Sequence, residues 1–116
     1  MENDGEPLVM GSEAAVNLAI AVNELIHNAL DHGFHGLPEG RLTISECCED
    51  GWFHLCVRND GHLLPEGFNA KGYDLGLQIV RTLTEIELGG SFSFGNEDGQ
   101  VAAHIRCPVK RLEVTE

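Results

Sequence analysis

Apolar residues in the first third of the chain recur with the period of an α-helix. Gly11 and Ser12 offer an N-cap, and Gly33 is a natural residue to follow the last helical turn. The apolar face is shared by Leu18, Val22, Leu25, Ile26 and Ala29. We therefore predict a helix from residue 12 to about residue 32, with this face packed on a sheet.

A second helical pattern occupies residues 75 to about 88. Its common face is made by Leu77, Val80, Leu83 and Thr84, and Gly89-Gly90 marks its end.

Elsewhere apolar and polar residues alternate, which is the pattern of strands. Predicted strands cover residues 41–46, 52–57, 91–94 and 100–107, with a further short edge strand at 5–10. Turns at 49–51 and 96–99 join them into hairpins. Helices that fall between hairpins predict an α/β fold, a two-layer sandwich with a mixed, mostly antiparallel sheet and helices on one face. Residues 110–116 are expected to form a frayed tail.

Composition narrows the range of functions. The 116 residues suit one domain over the whole chain, and the net charge of −12 argues against a nucleic-acid or anionic-membrane partner. No apolar run reaches the ~18 residues that span a bilayer, and the acidic start does not resemble a signal peptide. The four cysteines lack Cys-x-x-Cys spacing, so we expect reduced thiols in the cytoplasm and no zinc site.

Polar residues in the first helix fall on one stripe. Asn17, Glu24, Asn28 and Asp31 are spaced by seven, four and three, so they share a face. A carboxamide there can offer a neutral oxygen to Mg²⁺, and a carboxylate can accept a proton from an attacking group. The alternative is a solvated helix face.

Two further segments occur at residues 57–68, with Asn59-Asp60-Gly61, and 74–83, with Leu75-Gly76-Leu77. Together with residues 23–33, they resemble in order and spacing the N, G1 and G2 boxes of the histidine-kinase-type ATPases. This superfamily also contains gyrase, the Hsp90 chaperones and MutL. The resemblance covers residues 8–109 and is greatest to the catalytic and ATP-binding domain of a sensor histidine kinase. It implies the Bergerat ATP-binding fold, with ATP and Mg²⁺ as cofactors.

The resemblance also implies roles in the N box. Asn28 takes the position of the Mg²⁺ ligand, and Glu24, one turn earlier, is the candidate general base. His32 ends the box and is expected to line the phosphate pocket.

On the phosphate side, the resemblance places a lid over roughly residues 65–74, which we expect to be mobile without nucleotide. Lys71 is its only lysine and the candidate phosphate contact. Gly76 opens the second helix, whose free N–H groups suit a phosphate. Leu77 is expected to pack toward the floor of the nucleotide pocket.

The G1 box departs from the family pattern Asp-x-Gly-x-Gly. Asn59 stands where the family has the Asp that binds adenine, Gly61 keeps the first Gly, and Leu63 replaces the second. An Asn amide can accept from the adenine amine and also donate to the neighbouring ring nitrogen. Register favours Asn59 as the adenine anchor, and Asp60 is the alternative if the loop is shifted by one.

The resemblance thus implies a kinase domain that passes the γ-phosphoryl group of ATP to a histidine on a separate dimerisation domain, with a response regulator downstream. The chain carries no acceptor hairpin, so we expect a monomeric piece of a longer protein that does not phosphorylate itself. One alternative is an anti-sigma-factor-type serine kinase. Another is a degenerate nucleotide-sensing or docking module without activity, which the departures at Asp31, Asn59 and Leu63 leave open.

Overall fold

The computed structural model describes residues 9–65 and 75–113. Within these residues, two long helices alternate with two β-hairpins in the predicted order, and a short helix follows the last strand. The elements are α1 (Ser12–Asn28), which continues through a wider π turn (Ala29–Gly33), β1 (Leu42–Glu49), β2 (Trp52–Asn59), α2 (Leu75–Thr82), which continues through a second π turn (Leu83–Glu87), β3 (Ser91–Glu97), β4 (Gln100–Pro108) and α3 (Val109–Leu112).

The four strands form one sheet in the order β1-β2-β4-β3. Each neighbouring pair in this part of the chain is antiparallel, and Met10 and Glu113 add one isolated antiparallel bridge. The predicted α/β sandwich with helices on one sheet face is confirmed. Most of the predicted edge strand at 5–10 lies outside the described residues.

Both hairpins close through the same two-residue turn. Asp50-Gly51 joins β1 to β2, and Asp98-Gly99 joins β3 to β4. All four residues have positive φ, at 53° and 81° in the first turn and 52° and 78° in the second. This is the type I′ geometry, whose twist matches that of the flanking strands and whose positions suit Asp and Gly.

The helices cover one sheet face and bury a single core. From α1 and α2 the most buried members include Ala21, Leu25, Leu77 and Val80, and the sheet supplies alternate residues such as Ile105. The predicted apolar helix faces are therefore the packed ones. Within the described ranges, no helix has both the length and the apolar character needed to cross a membrane.

The predicted frayed tail is wrong for its first residues. Val109–Leu112 forms α3, and the Leu112 side chain is fully buried in the core. The N–H of Gly11 donates to the Leu112 carbonyl at 2.8 Å, which ties this helix to the start of α1. One buried leucine and one backbone contact order a segment that is too short for a periodic signal.

Candidate functional site

A cavity of about 420 Å³ lies where α1 ends, β2 ends and β4 begins. Three of the predicted site residues, Asn28, His32 and Asn59, lie in its wall. Its full described lining is Asn28, Asp31, His32, Gly33, His35, Asn59, His62, Leu63, Leu64, Pro65 and Val101. The volume and the mixed polar and apolar lining suit a small organic ligand with a few fixed polar contacts.

The π turn at the end of α1 brings successive residues to this cavity. Its wider hydrogen bond joins the N–H of Phe34 to the Ala29 carbonyl at 2.8 Å. Successive residues rotate by less in such a turn than in an α-helix, so Asp31, His32 and Gly33 all reach the cavity that Asn28 lines. The polar stripe predicted from α-helical spacing is therefore extended by a local change of helix type.

Asn59 is held at the cavity by its place on the covered face of β2. It follows Val57 by two residues, so it points to the same side, and it is 6% exposed. Its side-chain Oδ1 accepts the N–H of Gly61 at 3.1 Å, which fixes the orientation of the carboxamide. A buried amide with further donor and acceptor capacity is suited to reading the edge of a base.

Asp60 points elsewhere. Its Oδ1 accepts the N–H of Arg41 at 2.7 Å, and its own N–H donates to the Arg41 carbonyl at 3.2 Å. These bonds continue the pairing of β1 with β2 by one residue beyond the Leu42–Asn59 pair. Of the two residues that register left open, the structure brings Asn59 into the cavity wall and places Asp60 outside it.

The loop after β2 is fastened to the end of α1 by a very close backbone approach. The N–H of His62 donates to the Gly33 carbonyl at 2.7 Å. A Cβ on Gly61 would lie 2.0 Å from that same carbonyl oxygen, and a Cβ on Gly33 would lie 2.7 Å from Asn59 Oδ1. The role of Gly61 visible here is to let two backbones meet, which positions Asn59 and the loop together.

The histidines His35 and His62 are not among the site residues predicted from the sequence. Both are exposed, but they also line the cavity, and His62 Nε2 lies 2.8 Å from the His35 carbonyl. Sequence reasoning missed them because loop histidines carry no periodic signal.

The remaining predicted site residues are not among the described residues that line the cavity. Glu24 is half-buried one turn before Asn28 and is not among the described lining residues. Gly76 is the second residue of α2, while Leu77 is 1% exposed and belongs to the core cluster. Lys71 and the rest of residues 66–74 of the predicted lid lie outside the described residues, while Pro65, the first lid residue, lines the cavity.

The cavity wall fits the way Mg²⁺ is usually held. In the part of the chain that is described, no three His, Cys, Asp or Glu side chains are arranged as a metal cluster. Mg²⁺ commonly takes one or two protein oxygens and completes its shell with phosphate oxygens and waters. Asn28, with Asp31 in the same wall, can supply such a site.

Comparison with known proteins finds relatives among sensor histidine kinases and anti-sigma F factors. The sensor histidine kinase PdtaS of Mycobacterium tuberculosis is 42% identical over 111 residues, which are 92% of this chain and 22% of that protein. The anti-sigma F factor of Geobacillus stearothermophilus is 34% identical over 55 residues, which are 47% of this chain and 38% of that protein. This chain therefore spans well under half the length of both relatives.

A solved structure shares the fold. The histidine kinase domain of the Erythrobacter litoralis EL346 blue-light activated histidine kinase superposes with a TM-score of 0.76 at 25% identity, over 86% of this chain and 50% of that one. The profile of the family described as "Histidine kinase-, DNA gyrase B-, and HSP90-like ATPase" matches residues 13–111. The chain belongs to this family, and it is a histidine-kinase-type ATPase domain.

Proposed function

We propose that this domain binds Mg·ATP in the cavity at the end of α1 and passes the γ-phosphoryl group to a histidine on a separate dimerisation domain. The observation that carries the proposal is that Asn28 and Asn59, from two different boxes, line one cavity. Asn59 would hold the adenine, and Asn28 would lie toward the phosphates. The match to PdtaS over 92% of this chain supports a kinase of this class.

Asn28 would offer Mg²⁺ a neutral carboxamide oxygen. Bound there, the ion would offset the charge of the phosphates, which the net charge of −12 makes especially necessary. His32, in the same wall, would lie beside the phosphate groups and could donate a ring N–H to them. Gly76 at the start of α2 and Lys71 complete the proposed set of phosphate contacts.

In the transfer, an imidazole nitrogen of the acceptor histidine forms a bond to the γ-phosphorus while the bond from that phosphorus to the ADP oxygen breaks. The proton of the imidazole passes to a base, for which Glu24 is the candidate because it lies one turn before Asn28. Phosphoryl transfer depends mostly on alignment and charge neutralisation, so we expect the base to contribute less than Asn28.

The anti-sigma-factor-type serine kinase is less well supported. Its match spans 47% of this chain, against 92% for the sensor kinase. A downstream response regulator and a cytoplasmic location are part of the proposal.

Calorimetric titration of the domain with ATP and ADP, with and without Mg²⁺, tests this function. We expect Asn28→Ala and Asn28→Asp to abolish the tightening of ATP binding by Mg²⁺ while the fold stays intact. Asn23→Ala is the matched control, since Asn23 is exposed on the same helix and is not among the described lining residues. Unchanged Mg²⁺ dependence in the Asn28 variants would show that the metal role is wrong.

A further inference from the structure

The side chain of Asn96, near the end of β3, holds the backbone of Leu64. Asn96 Oδ1 accepts the N–H of Leu64 at 2.9 Å, and Asn96 Nδ2 donates to the Leu64 carbonyl at 3.0 Å. One carboxamide thus satisfies both polar groups of a residue 32 positions away, as a neighbouring strand would. A carboxamide carries a donor and an acceptor side by side, which matches the C=O and N–H of one residue.

This contact lies at the end of the row that forms the cavity floor. Asn96 pairs with Val101 across β3 and β4, and Val101 pairs with Asn59 across β4 and β2. Paired residues point to the same side of a sheet, so the row runs from Asn59 through Val101 to Asn96 on the covered face. Val101, Asn59 and Leu64 all line the cavity.

The segment of residues 61–65, which lies over this floor, is therefore held by hydrogen bonds at two points. Its first residues are held at the α1 end, where the His62 N–H meets the Gly33 carbonyl. Asn96 holds it at the other end through Leu64. Between these points Leu63 and Leu64 form an apolar part of the wall beside Asn59, which is where the proposed function places the adenine.

We propose that Asn96 is a positioning residue for the nucleotide. Its hydrogen bonds to Leu64 set the distance between residues 61–65 and the Asn59–Val101 pair. This distance in turn sets the affinity for the base, although Asn96 does not line the cavity itself. This inference rests on the proposed function and adds a residue that the three boxes do not contain. Because it acts on the base side, it should affect ATP and ADP equally and leave the Mg²⁺ dependence unchanged.

The test combines calorimetry with amide hydrogen exchange on the intact chain. In Asn96→Ala we expect ATP and ADP to bind about three- to tenfold more weakly by the same factor, the scale of losing one or two hydrogen bonds. Exchange of the Leu64 amide should speed up, while the melting temperature changes little because Asn96 is exposed. Asn96→Asp keeps the acceptor and loses the donor, so it should weaken both nucleotides by a smaller factor.

Ser93→Ala is the control, since Ser93 is exposed on the same strand and faces the other side of the sheet. It should leave both measurements unchanged. Equal nucleotide affinity in Asn96→Ala and the unaltered domain, or unchanged Leu64 exchange, would overturn this inference alone. Absence of nucleotide binding by the unaltered domain would overturn the proposed function and this inference with it.

Discussion

The two faces of the sheet are built from the same strands, but among the described residues only one of them carries a connected group of ionisable side chains. On the face covered by the helices, Ile105 and Val57 are buried in the core. Asn59, two residues after Val57 on the same face, lines the cavity. On the opposite face, here called the open face, the same strands carry His54 and His104. Because successive side chains of a strand point to opposite faces, the same strands supply core residues to one face and ionisable residues to the other.

The open face carries a connected chain of ionisable groups. His54 Nε2 lies 2.9 Å from His104 Nδ1, His104 Nε2 lies 2.9 Å from Glu97 Oε2, and the other Glu97 oxygen accepts from Arg58. Neutral rings satisfy this chain if His104 donates to Glu97 and accepts from His54.

Substitutions on the two faces should therefore have different effects. A change on the covered face should cost stability or binding at every pH, while a change on the open face should alter how stability depends on pH. Three predictions, taken in order of expected size, test this difference.

The largest effect is expected in the core. Ile105 is fully buried, so Ile105→Ala should lower the free energy of unfolding by about 2–5 kcal/mol through lost burial and a residual cavity. Its neighbour Arg106 faces the open side, with its guanidinium 4.0 Å from the centroid of the Trp52 ring. Arg106→Ala should cost no more than about 1 kcal/mol. Denaturant titration measures both, and equal losses would contradict the division between the faces.

The second effect is expected where the covered face meets the cavity. Asn59→Ala should cost about 1–3 kcal/mol of ATP binding, the range for a buried polar partner that is lost. Asn59→Asp should preserve or improve affinity, because a carboxylate is a stronger acceptor for the adenine amine. A guanine nucleotide should bind the Asp variant poorly, because its carbonyl would face a second acceptor.

Asp60→Ala is the comparison variant for this prediction. Asp60 bonds to the Arg41 backbone, so its loss should loosen the start of β1 and cost less binding than Asn59→Ala. Calorimetry on the variants side by side gives the order of affinities. A much larger loss from Asp60→Ala would mean that Asp60, rather than Asn59, anchors the base.

The smallest effect is expected on the open face. Burial lowers the pKa of His54 below its ordinary value of 6.5, and electrostatic interactions with His104 and Arg106 lower it further, against a smaller opposing effect of Glu97. Arg58 adds a further small lowering. The folded chain then binds fewer protons at this site than the unfolded chain, so stability should fall as the pH drops through 6.5.

Melting temperatures measured between about pH 7.5 and about pH 5.5 check this sign, since the interval spans the ordinary titration of histidine. His54→Gln should reduce the drop, and the exposed His27→Gln should leave it unchanged. A separate loss is expected at lower pH, because hydrogen bonds from Arg58 and His104 lower the pKa of Glu97 below 4.5. A drop of the same size in His54→Gln would assign the neutral-range effect to another group.

Much of the fold follows from the sequence because the signals are local. The apolar period of α1 and the alternation around Asp50-Gly51 and Asp98-Gly99 each describe one element and its end. The strands run two or three residues further than predicted at several ends, since pairing with a neighbour extends a strand beyond its own pattern. No local sequence pattern predicts α3, because Leu112 is buried through tertiary contacts.

In the candidate site, too, some residues are predicted by local sequence signals and others depend on tertiary contacts. Asn28, His32 and Asn59 were found from sequence because the boxes place them, and all three line the cavity. The bond of Asp60 to Arg41 depends on the register of β1 with β2, and the hold of Asn96 on Leu64 depends on how a hairpin meets a distant loop. Such contacts join residues that no short window of sequence contains together.

The two Asp-Gly hairpins also bear on the order in which the chain folds. Each joins strands that are neighbours in sequence, so each can form early and locally at low entropic cost. Pairing of β2 with β4 brings together His54 and His104, which are 50 positions apart, and we expect this closure to be the slow step. The Asn59–Val101 pair lies at one end of that same seam. The floor of the cavity therefore forms only when the two hairpins pair, so we expect the same strand pair to limit the folding rate and to complete the cavity.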